Sequence, residues 1–460
     1  MNIPPGIFKS YDIRGIYPSE FNEENIVPII QAIYKLFRDT SKSKEALKIV
    51  LGRDMRISSP SLFKIACDTL ISAGADIIDA GLVSTPSFYF TVFYYGYDAG
   101  IQISASHNPK EYNGLKIVKR DGNGLIKIGK TTGMADIKRM SMEGVKISSN
   151  QKGSITKKTG ILEDEVKNSL KIVGNPQVKK FKIVADAANA MGGTYIDALF
   201  KVIPTDLIRM NFKLDGTFPV HQPDPLQSET LVDLQKRVVE EKADLGLAPD
   251  GDGDRLFFID ERGNIVPPSI ITALVARDML KSHKGEKIVY DVRYVITPKK
   301  TIEKNGGISI ITKVGHAFIT ELLHQENGIF AGESSGHYFF RDTGFAESQQ
   351  PVIMTVLKVM SEEGKKLSEI IEELKESYES GEINFKVTNA PEILDALRKE
   401  FSLGELSTLD GIAITMPDYR FNVRTSNTEP LLRLNIESEY KDKLEKAKEK
   451  ILAVINSVAK

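Results

Sequence analysis

The 460-residue sequence is short of several things, and each shortage narrows the possibilities. It holds one cysteine, Cys67, so no internal disulfide can form. That residue falls in the helix-like run Leu62 to Ile71, where a buried, inert thiol is the expected reading, and a reducing compartment fits. Charge of one sign is also missing: 61 Lys and Arg stand against 62 Asp and Glu, a formal net charge of -1. No basic field draws the whole chain to nucleic acid or to anionic lipid, so any charged ligand must be held by local groups. No apolar run approaches the roughly 18 residues of a membrane span. The start MNIPPGIFKSYDIRG lacks the charged and apolar segments of a signal peptide, which gives the expectation of a cytoplasmic protein. At 41% hydrophobic and 27% charged, the composition is that of globular domains with real cores.

What is present is a repeat. Lys48-Ile49-Val50, Lys182-Ile183-Val184 and Lys287-Ile288-Val289 each read as a short buried strand, followed by an aspartate (Asp54, Asp186, Asp291) and a helical pattern. Later in each unit a further apolar strand runs into a polar loop: AGIQISASHNP, ADLGLAPDGDGDR and NGIFAGESSGH. Strands alternating with helices predict mixed, largely parallel sheets, whose ligands collect beyond the carboxyl ends of the strands. The three loops are then expected to face one shared cleft.

The length gives a prior of about three domains, and the breaks divide the chain into four segments, 1–150, 151–260, 261–379 and 380–460. The polar stretch Gly144 to Gly160 reads as a linker and Glu261 to Asn264 as a turn. The helical pattern Leu367 to Tyr378 ends at Glu379-Ser380-Gly381. The last segment reads as strand, strand, then helix, with Leu444, Ala447, Ile451, Val454 and Val458 on one helical face. Mixed lysines and glutamates on that helix favour packing against its own small sheet over a membrane. The predicted class is therefore α/β: three similar α/β domains and a smaller C-terminal α+β domain.

The loops carry the chemistry. Ser106 reads either as a turn or N-cap hydroxyl or as a nucleophile. A free serine needs a base and a phosphorylated one needs cations; His107 and Lys116 are placed to supply either. Asp250, Asp252 and Asp254 alternate with glycines, so the loop can turn all three carboxylates on one hard cation, Mg²⁺ or Ca²⁺ before zinc. An EF-hand is disfavoured because Arg255 occupies its sixth position, where the sharp turn takes glycine, although Glu261 falls at the twelfth. Three carboxylates leave an octahedral ion short of ligands, with room for water or a phosphate oxygen. A solvated acidic turn is the bland alternative.

Gly332-Glu333-Ser334-Ser335-Gly336-His337 offers a carboxylate and hydroxyls to a sugar, or is simply turn chemistry. Arg424-Thr425-Ser426-Asn427-Thr428-Glu429-Pro430 suits a phosphate cradle or a polar loop equally. Arg14, in Tyr11-Asp12-Ile13-Arg14-Gly15, and His316, in Lys313-Val314-Gly315-His316, carry little signal alone.

In order, the motifs YDIRG, SASHNP, YNGLK, DGDGDR, KVGH, GESSGH and RTSNTEP closely resemble the α-D-phosphohexomutases, specifically the phosphomannomutase/phosphoglucomutase branch, essentially from end to end. The resemblance implies four domains around a central cleft. It implies that Ser106 carries a phosphate and that Asp250, Asp252 and Asp254 bind Mg²⁺ together with an oxygen of that phosphate. Lys116 and His107 match positions beside the phosphoserine, with Lys116 as proton shuttle, and Arg14 and Arg255 match other basic active-site positions. Glu333 and Ser335 match the residues on the sugar's 3- and 4-hydroxyls. Arg424, Ser426, Asn427 and Thr428 match the loop on the nontransferred phosphate, while Tyr11, His316 and His337 fall at substrate-side positions. Arg293 stands where relatives often carry lysine; a guanidinium keeps the charge but changes the geometry.

The implied reaction interconverts hexose 1-phosphate and hexose 6-phosphate, of glucose or mannose, with glucose 1,6-bisphosphate as activator and intermediate. Positioning and charge neutralisation govern such a transfer. Expected partners are small-molecule hexose phosphates, with no nucleic acid and no membrane, and the protein is expected as a monomer or homodimer. Three rival readings stand beside it: a phosphoglucosamine mutase, favoured by ISASHNP but not by SNTEP and YNGLK; a haloacid-dehalogenase-type phosphatase, which lacks its DxDG[TV] continuation here; and a noncatalytic sugar-phosphate-binding protein.

Overall fold

A computed structural model describes residues 3–425 and 431–459. The chain forms two compact units, Met1–Val266 with Ser335–Ser368, and Pro267–Ser334 with Glu369–Lys460.

The first unit is built on the strand Lys48–Arg53, which runs parallel to both Asp76–Leu82 and Ala99–Ile103. Its apolar residues serve two faces. Ile49 and Leu51 pack with Ile29, Ile33 and Leu62, from the helices Ile26–Thr40 and Ser59–Ser72. Val50 points the other way, to Phe88 and Val92 of the helix Thr85–Tyr94. A strand covered on both sides has to be apolar throughout, which is why KIVL reads as an unbroken run. Beyond Ala99–Ile103 the sheet turns antiparallel, through Tyr112–Asp121 to Ile13–Ile16. Cys67 is buried and unpaired, as its surroundings in the sequence suggested.

The stretch from Gly144 to Gly160 is not a plain linker. Ile155–Lys157 adds a parallel edge strand to Asp76–Leu82, and Ser154 bonds Asp76 Oδ1 through its amide at 3.0 Å and its hydroxyl at 2.7 Å. All three strand residues are exposed, so the segment has no apolar alternation to betray it.

A second sheet in this unit sets Phe181–Asp186 parallel to Thr205–Met210 and Leu245–Pro249, with Leu256–Asp260 antiparallel at the side. The repeat proves to be chemical as well as topological. Oδ1 of Asp54 accepts the amide of Arg56 at 3.0 Å, Asp186 that of Ala188 at 2.9 Å and, in the other unit, Asp291 that of Arg293 at 2.8 Å. Each aspartate closes an Asx turn at or just beyond its strand's carboxyl end.

The helix Ile161–Ile172 buries Glu165, whose Oε2 accepts from Ser87 Oγ at 2.6 Å. Burial raises that carboxyl from 4.5 to about 7, against the opposing pull of the Ser87 hydrogen bond. The native state thus keeps a proton that the unfolded chain releases between those values, so this group's contribution falls as pH rises through the window. Glu165→Gln is expected to be the more stable protein at pH 8, by up to about 3 kcal/mol, and indistinguishable at pH 4. Urea unfolding at both pH values tests this; equal midpoints at pH 8 would contradict it.

In the second unit, Lys287–Asp291 lies parallel to Ile308–Thr312 and Phe330–Gly332. The C-terminal part is an antiparallel sheet in which Leu432–Ser438 and Arg420–Thr425 are central. Phe421, Val423, Leu434 and Ile436 pack on Leu444, Ala447, Ile451 and Ile455 of the helix Lys441–Val458. Val454 and Val458, expected on that face, are partly buried against it. The piece holds more than strand, strand and helix: a further helix, Ala390–Glu400, packs in the same core. The helix expected to reach Tyr378 stops at Leu374, and Tyr378–Glu379 pairs as a strand with Leu432–Ser438. Among the described residues no helix is long and apolar enough to cross a membrane.

Candidate active site

Ser106 follows the strand Ala99–Ile103 in a tight loop whose Ser104 Oγ accepts the Ser106 amide at 3.0 Å. Its φ of 51° lies in the left-handed region, uncommon for a residue with a Cβ. The side chain is buried, donating to Asp250 Oδ2 at 3.1 Å and lying 3.2 Å from His107 Nδ1. The two loops meet so closely that a Cβ on Gly251 would sit 2.3 Å from the Ser106 carbonyl oxygen; only glycine fits there.

The acidic loop curls about Asp250, whose Oδ1 accepts the amides of Gly253 at 3.0 Å and Arg255 at 3.2 Å. Asp250, Asp252 and Asp254 are all buried, each with an oxygen within 4.8 Å of the others. Lys116, on the strand Tyr112–Asp121, reaches Asp252 Oδ2 at 2.7 Å and also bonds Asp254. Burial opposes charge on this lysine, yet the two carboxylates hold its pKa well above the ordinary value. Asp254 is likewise pulled well down, against burial, by Lys116 and His337. Asp250 is pushed well up by burial and by the negative charge of Asp254 and Asp252. Burial, then Arg255 and Arg14, push the His107 imidazole well below its usual range, leaving it neutral.

Two arginines complete this part. Arg14 forks onto Asp12 Oδ2 at 2.7–2.8 Å and reaches into the serine loop, to the Ala105 carbonyl at 3.2 Å and to Asn108 Oδ1. Tyr11 sits half-buried in the bend just before it. Arg255 lies 3.8 Å from Asp224 and 4.0 Å from Asp250, with Nε and Nη1 buried and without a hydrogen-bond partner. Such donors suit an incoming anion. His337, expected near a sugar, puts Nε2 3.1 Å from Asp254 Oδ1 and Nδ1 3.2 Å from Ser335 Oγ, which ties both residues to the triad.

The remaining expected residues belong to the second unit. Arg293 forks onto Asp291 at 2.9 and 3.1 Å and lies 3.4 Å from Glu333 Oε1, which also accepts the Gly315 amide at 3.0 Å. His316 opens the helix His316–Gln325, half-buried. Arg424, at the end of Arg420–Thr425, pairs with Glu382 at 3.1 Å. The same carboxylate takes Arg433 at 3.2 Å and has Arg293 at 3.9 Å, so three guanidinium groups converge on one anion. Ser426, Asn427 and Thr428 lie outside the described residues.

Family models for phosphoglucomutase/phosphomannomutase match the chain in four consecutive pieces: α/β/α domain I at residues 5–140, domain II at 164–263, domain III at 267–378 and the C-terminal domain at 382–454. The chain belongs to this family. A phosphomannomutase of Methanocaldococcus jannaschii is 37% identical over 454 residues, covering 99% of this chain and 98% of its own length. One from Escherichia coli is 34% identical over 460 residues, covering 97% and 98%. The crystal structure of a phosphoglucomutase/phosphomannomutase family protein from Burkholderia thailandensis superimposes with a TM-score of 0.87 at 28% identity, covering 100% of this chain and 99% of that one. The protein is an enzyme of the phosphohexomutase class, an isomerase that acts by phosphoryl transfer.

Phosphohexomutases are metal-dependent, and the acidic triad has the character such a site needs. Its donors are all oxygens, and Oδ1 of Asp252 is buried with no hydrogen-bond partner. An unpaired carboxylate oxygen in a dry site is costly unless a cation meets it.

Several further residues shape the site. Thr85, the first residue of its helix, donates its hydroxyl to Asp252 Oδ2 at 2.5 Å and its amide to the Asp252 carbonyl at 2.8 Å. Lys127 and Glu347 form a buried ion pair at 2.5 Å, and Glu347 offers an oxygen close to Asp254 and His337. Neither has a sequence signal, since a threonine at a helix start and a lysine in a strand are commonplace. Arg56 did have one: Asp54-Met55-Arg56 repeats the spacing of Asp291-Val292-Arg293 after the same strand.

Proposed function

We propose that the enzyme interconverts hexose 1-phosphate and hexose 6-phosphate, of glucose and mannose, through a phosphoserine at Ser106 and a hexose 1,6-bisphosphate. The observation that carries this reading is the 3.1 Å hydrogen bond from Ser106 Oγ to Asp250, inside a triad of buried carboxylates that Lys116 joins. In the first half, the phosphorus of phosphoSer106 bonds to the free sugar hydroxyl oxygen as its bond to Oγ breaks, and the proton that hydroxyl gives up ends, over the half-reaction, on Oγ, which becomes the Ser106 hydroxyl again. In the second half the sugar is reversed, and its other phosphate returns to Oγ by the same step run backwards. Phosphate is conserved over the cycle.

Asp250, Asp252 and Asp254 would hold Mg²⁺, which supplies Lewis-acid neutralisation of the phosphoryl oxygens when bound. Arg255 offers buried donors to those oxygens. Lys116 is held as an ammonium by Asp252 and Asp254. Once those carboxylates are neutralised in the loaded site, the attraction that retains its proton weakens, and it becomes suited to exchange a proton with the sugar hydroxyl. Arg424, with the loop that follows it, is assigned to the nontransferred phosphate, and Glu333 with Ser335 to the sugar hydroxyls. The setting assigned is cytoplasmic, with hexose phosphates as the ligands.

A coupled assay with Mg²⁺ and trace glucose 1,6-bisphosphate is expected to show turnover of glucose 1-phosphate and mannose 1-phosphate, abolished by EDTA and restored by Mg²⁺. Faster turnover of glucosamine 6-phosphate than of glucose 1-phosphate would overturn the preference. Activity indifferent to chelation would overturn the metal's role.

A further inference from the structure

The geometry points to Arg56 as a positioning residue for phosphoryl transfer, one that fixes the Ser106 loop by gathering its carbonyl groups on a single guanidinium. This rests on the phosphoserine reading above.

Arg56 is 1% exposed. Its Nη2 donates to the carbonyls of Ser106 at 2.8 Å and Asn108 at 2.7 Å, and its Nη1 to those of Pro109 at 2.7 Å and Tyr112 at 3.0 Å. Nε lies 3.2 Å from Asp54 Oδ2, an ion pair without hydrogen-bond geometry, so the carbonyls are held by the two terminal nitrogens while Asp54 balances the charge. The group is also held from above, its Cζ 5.2 Å from the centre of the Phe218 ring. Asp54 itself is tied down by the Arg56 amide and by Ser59 Oγ at 2.6 Å, so the clamp is anchored to the start of the helix Ser59–Ser72.

The loop needs such a clamp. Ser106 is buried, and without Arg56 its carbonyl would lose this donor in a dry setting, whereas the Pro109 carbonyl also accepts the Tyr112 amide at 3.0 Å. Ser106 holds a left-handed φ of 51°, which an unconstrained serine would leave. The Ser106 carbonyl oxygen that Arg56 holds is also the atom that a Cβ on Gly251 would meet first, at 2.3 Å. One guanidinium thus sets the carbonyl of the reacting residue, and with it the direction of Oγ towards Asp250.

A lysine has the charge but not the fork: three donors on one nitrogen cannot reach four carbonyls and a carboxylate spread along a plane. Arg56 touches neither the triad carboxylates nor, on this reading, the sugar. Its loss should lower the transfer rate and leave sugar binding alone.

The test is Arg56→Lys in the full-length enzyme, assayed beside wild type and Ser106→Ala. Expected is a fall in kcat of about 100-fold, the scale of an ångström's misplacement, with KM for the hexose phosphate within about twofold, because groups elsewhere bind it. The rate at which glucose 1,6-bisphosphate phosphorylates Ser106, followed by intact mass, should fall with kcat. A merely structural role would lower the melting temperature and the fraction of active enzyme without slowing phosphorylation per active molecule. Wild-type phosphorylation rate and kcat in Arg56→Lys would overturn the proposal, as would a KM rise that accounts for the whole loss. If Arg56→Lys does not fold, Asp54→Asn, which loosens one anchor of the fork, should show the same split with a smaller fall in kcat; unchanged kcat there overturns the proposal. Failure of wild type to take phosphate on Ser106 refutes the parent reading instead, so the two failures are distinct.

Discussion

Ser106→Ala is expected to remove hexose phosphate interconversion almost entirely, by roughly four to six orders of magnitude, in a protein that still folds. The fold should survive because little is lost: the Ser106 amide keeps its bond to Ser104 Oγ, and its carbonyl keeps its bond to Arg56. Alanine and serine also bear the left-handed backbone at similar cost, each having one Cβ. The chemistry should not survive, because the lost hydroxyl is the group that the Asp250 carboxylate accepts from at 3.1 Å. The nearest alternative hydroxyl in the loop, Ser104 Oγ, is engaged by the Ser106 amide. Incubation with glucose 1,6-bisphosphate and intact mass measurement should show one added phosphate on wild type and none on Ser106→Ala. Equal labelling of the two proteins, or substantial residual turnover, would place the phosphoryl carrier elsewhere.

Asp252→Asn is expected to cost about a thousandfold in Mg²⁺-dependent turnover and to abolish the rise in melting temperature that Mg²⁺ gives wild type. Oδ2 of Asp252 is occupied by the Thr85 hydroxyl and Lys116, two donors that require an acceptor. An asparagine must therefore keep its carbonyl oxygen there. Its NH₂ then takes the place of Oδ1, the buried oxygen without a partner, and turns two protons towards the position a cation would fill. The substitution both removes a charge and reverses a dipole at one point. Binding to the native state alone raises stability with ligand concentration, so thermal unfolding across a Mg²⁺ series reads the loss independently of activity. A wild-type Mg²⁺ shift in Asp252→Asn would show that the ion, if bound, does not use this residue.

Much of the fold is legible in the sequence because its signals are local. A strand buried on both faces must be apolar throughout, so the three KIV strands stand out, and the aspartates that follow them close Asx turns within two residues. The edge strand Ile155–Lys157 is illegible for the opposite reason: it is exposed, and its partner is set by Asp76 rather than by its own pattern. The helical pattern after Leu367 overruns the helix itself because EELKESY continues it, whereas pairing with Leu432–Ser438 draws Tyr378 into a sheet.

The site divides in the same way. By itself the sequence determined which loops bear unusual chemistry: a serine turn, alternating carboxylates with glycines between, and a balance of charge that leaves ligand binding to local groups. Tertiary structure alone decided that Ser106 meets Asp250, 144 residues away, that Lys116 is held charged between Asp252 and Asp254, and that Arg56 gathers four carbonyls of the serine loop. The physical reason is that periodicity and turn chemistry specify a segment's faces and ends, whereas the order in which strands lie side by side, and hence which strand ends become neighbours, is settled only when distant segments pack.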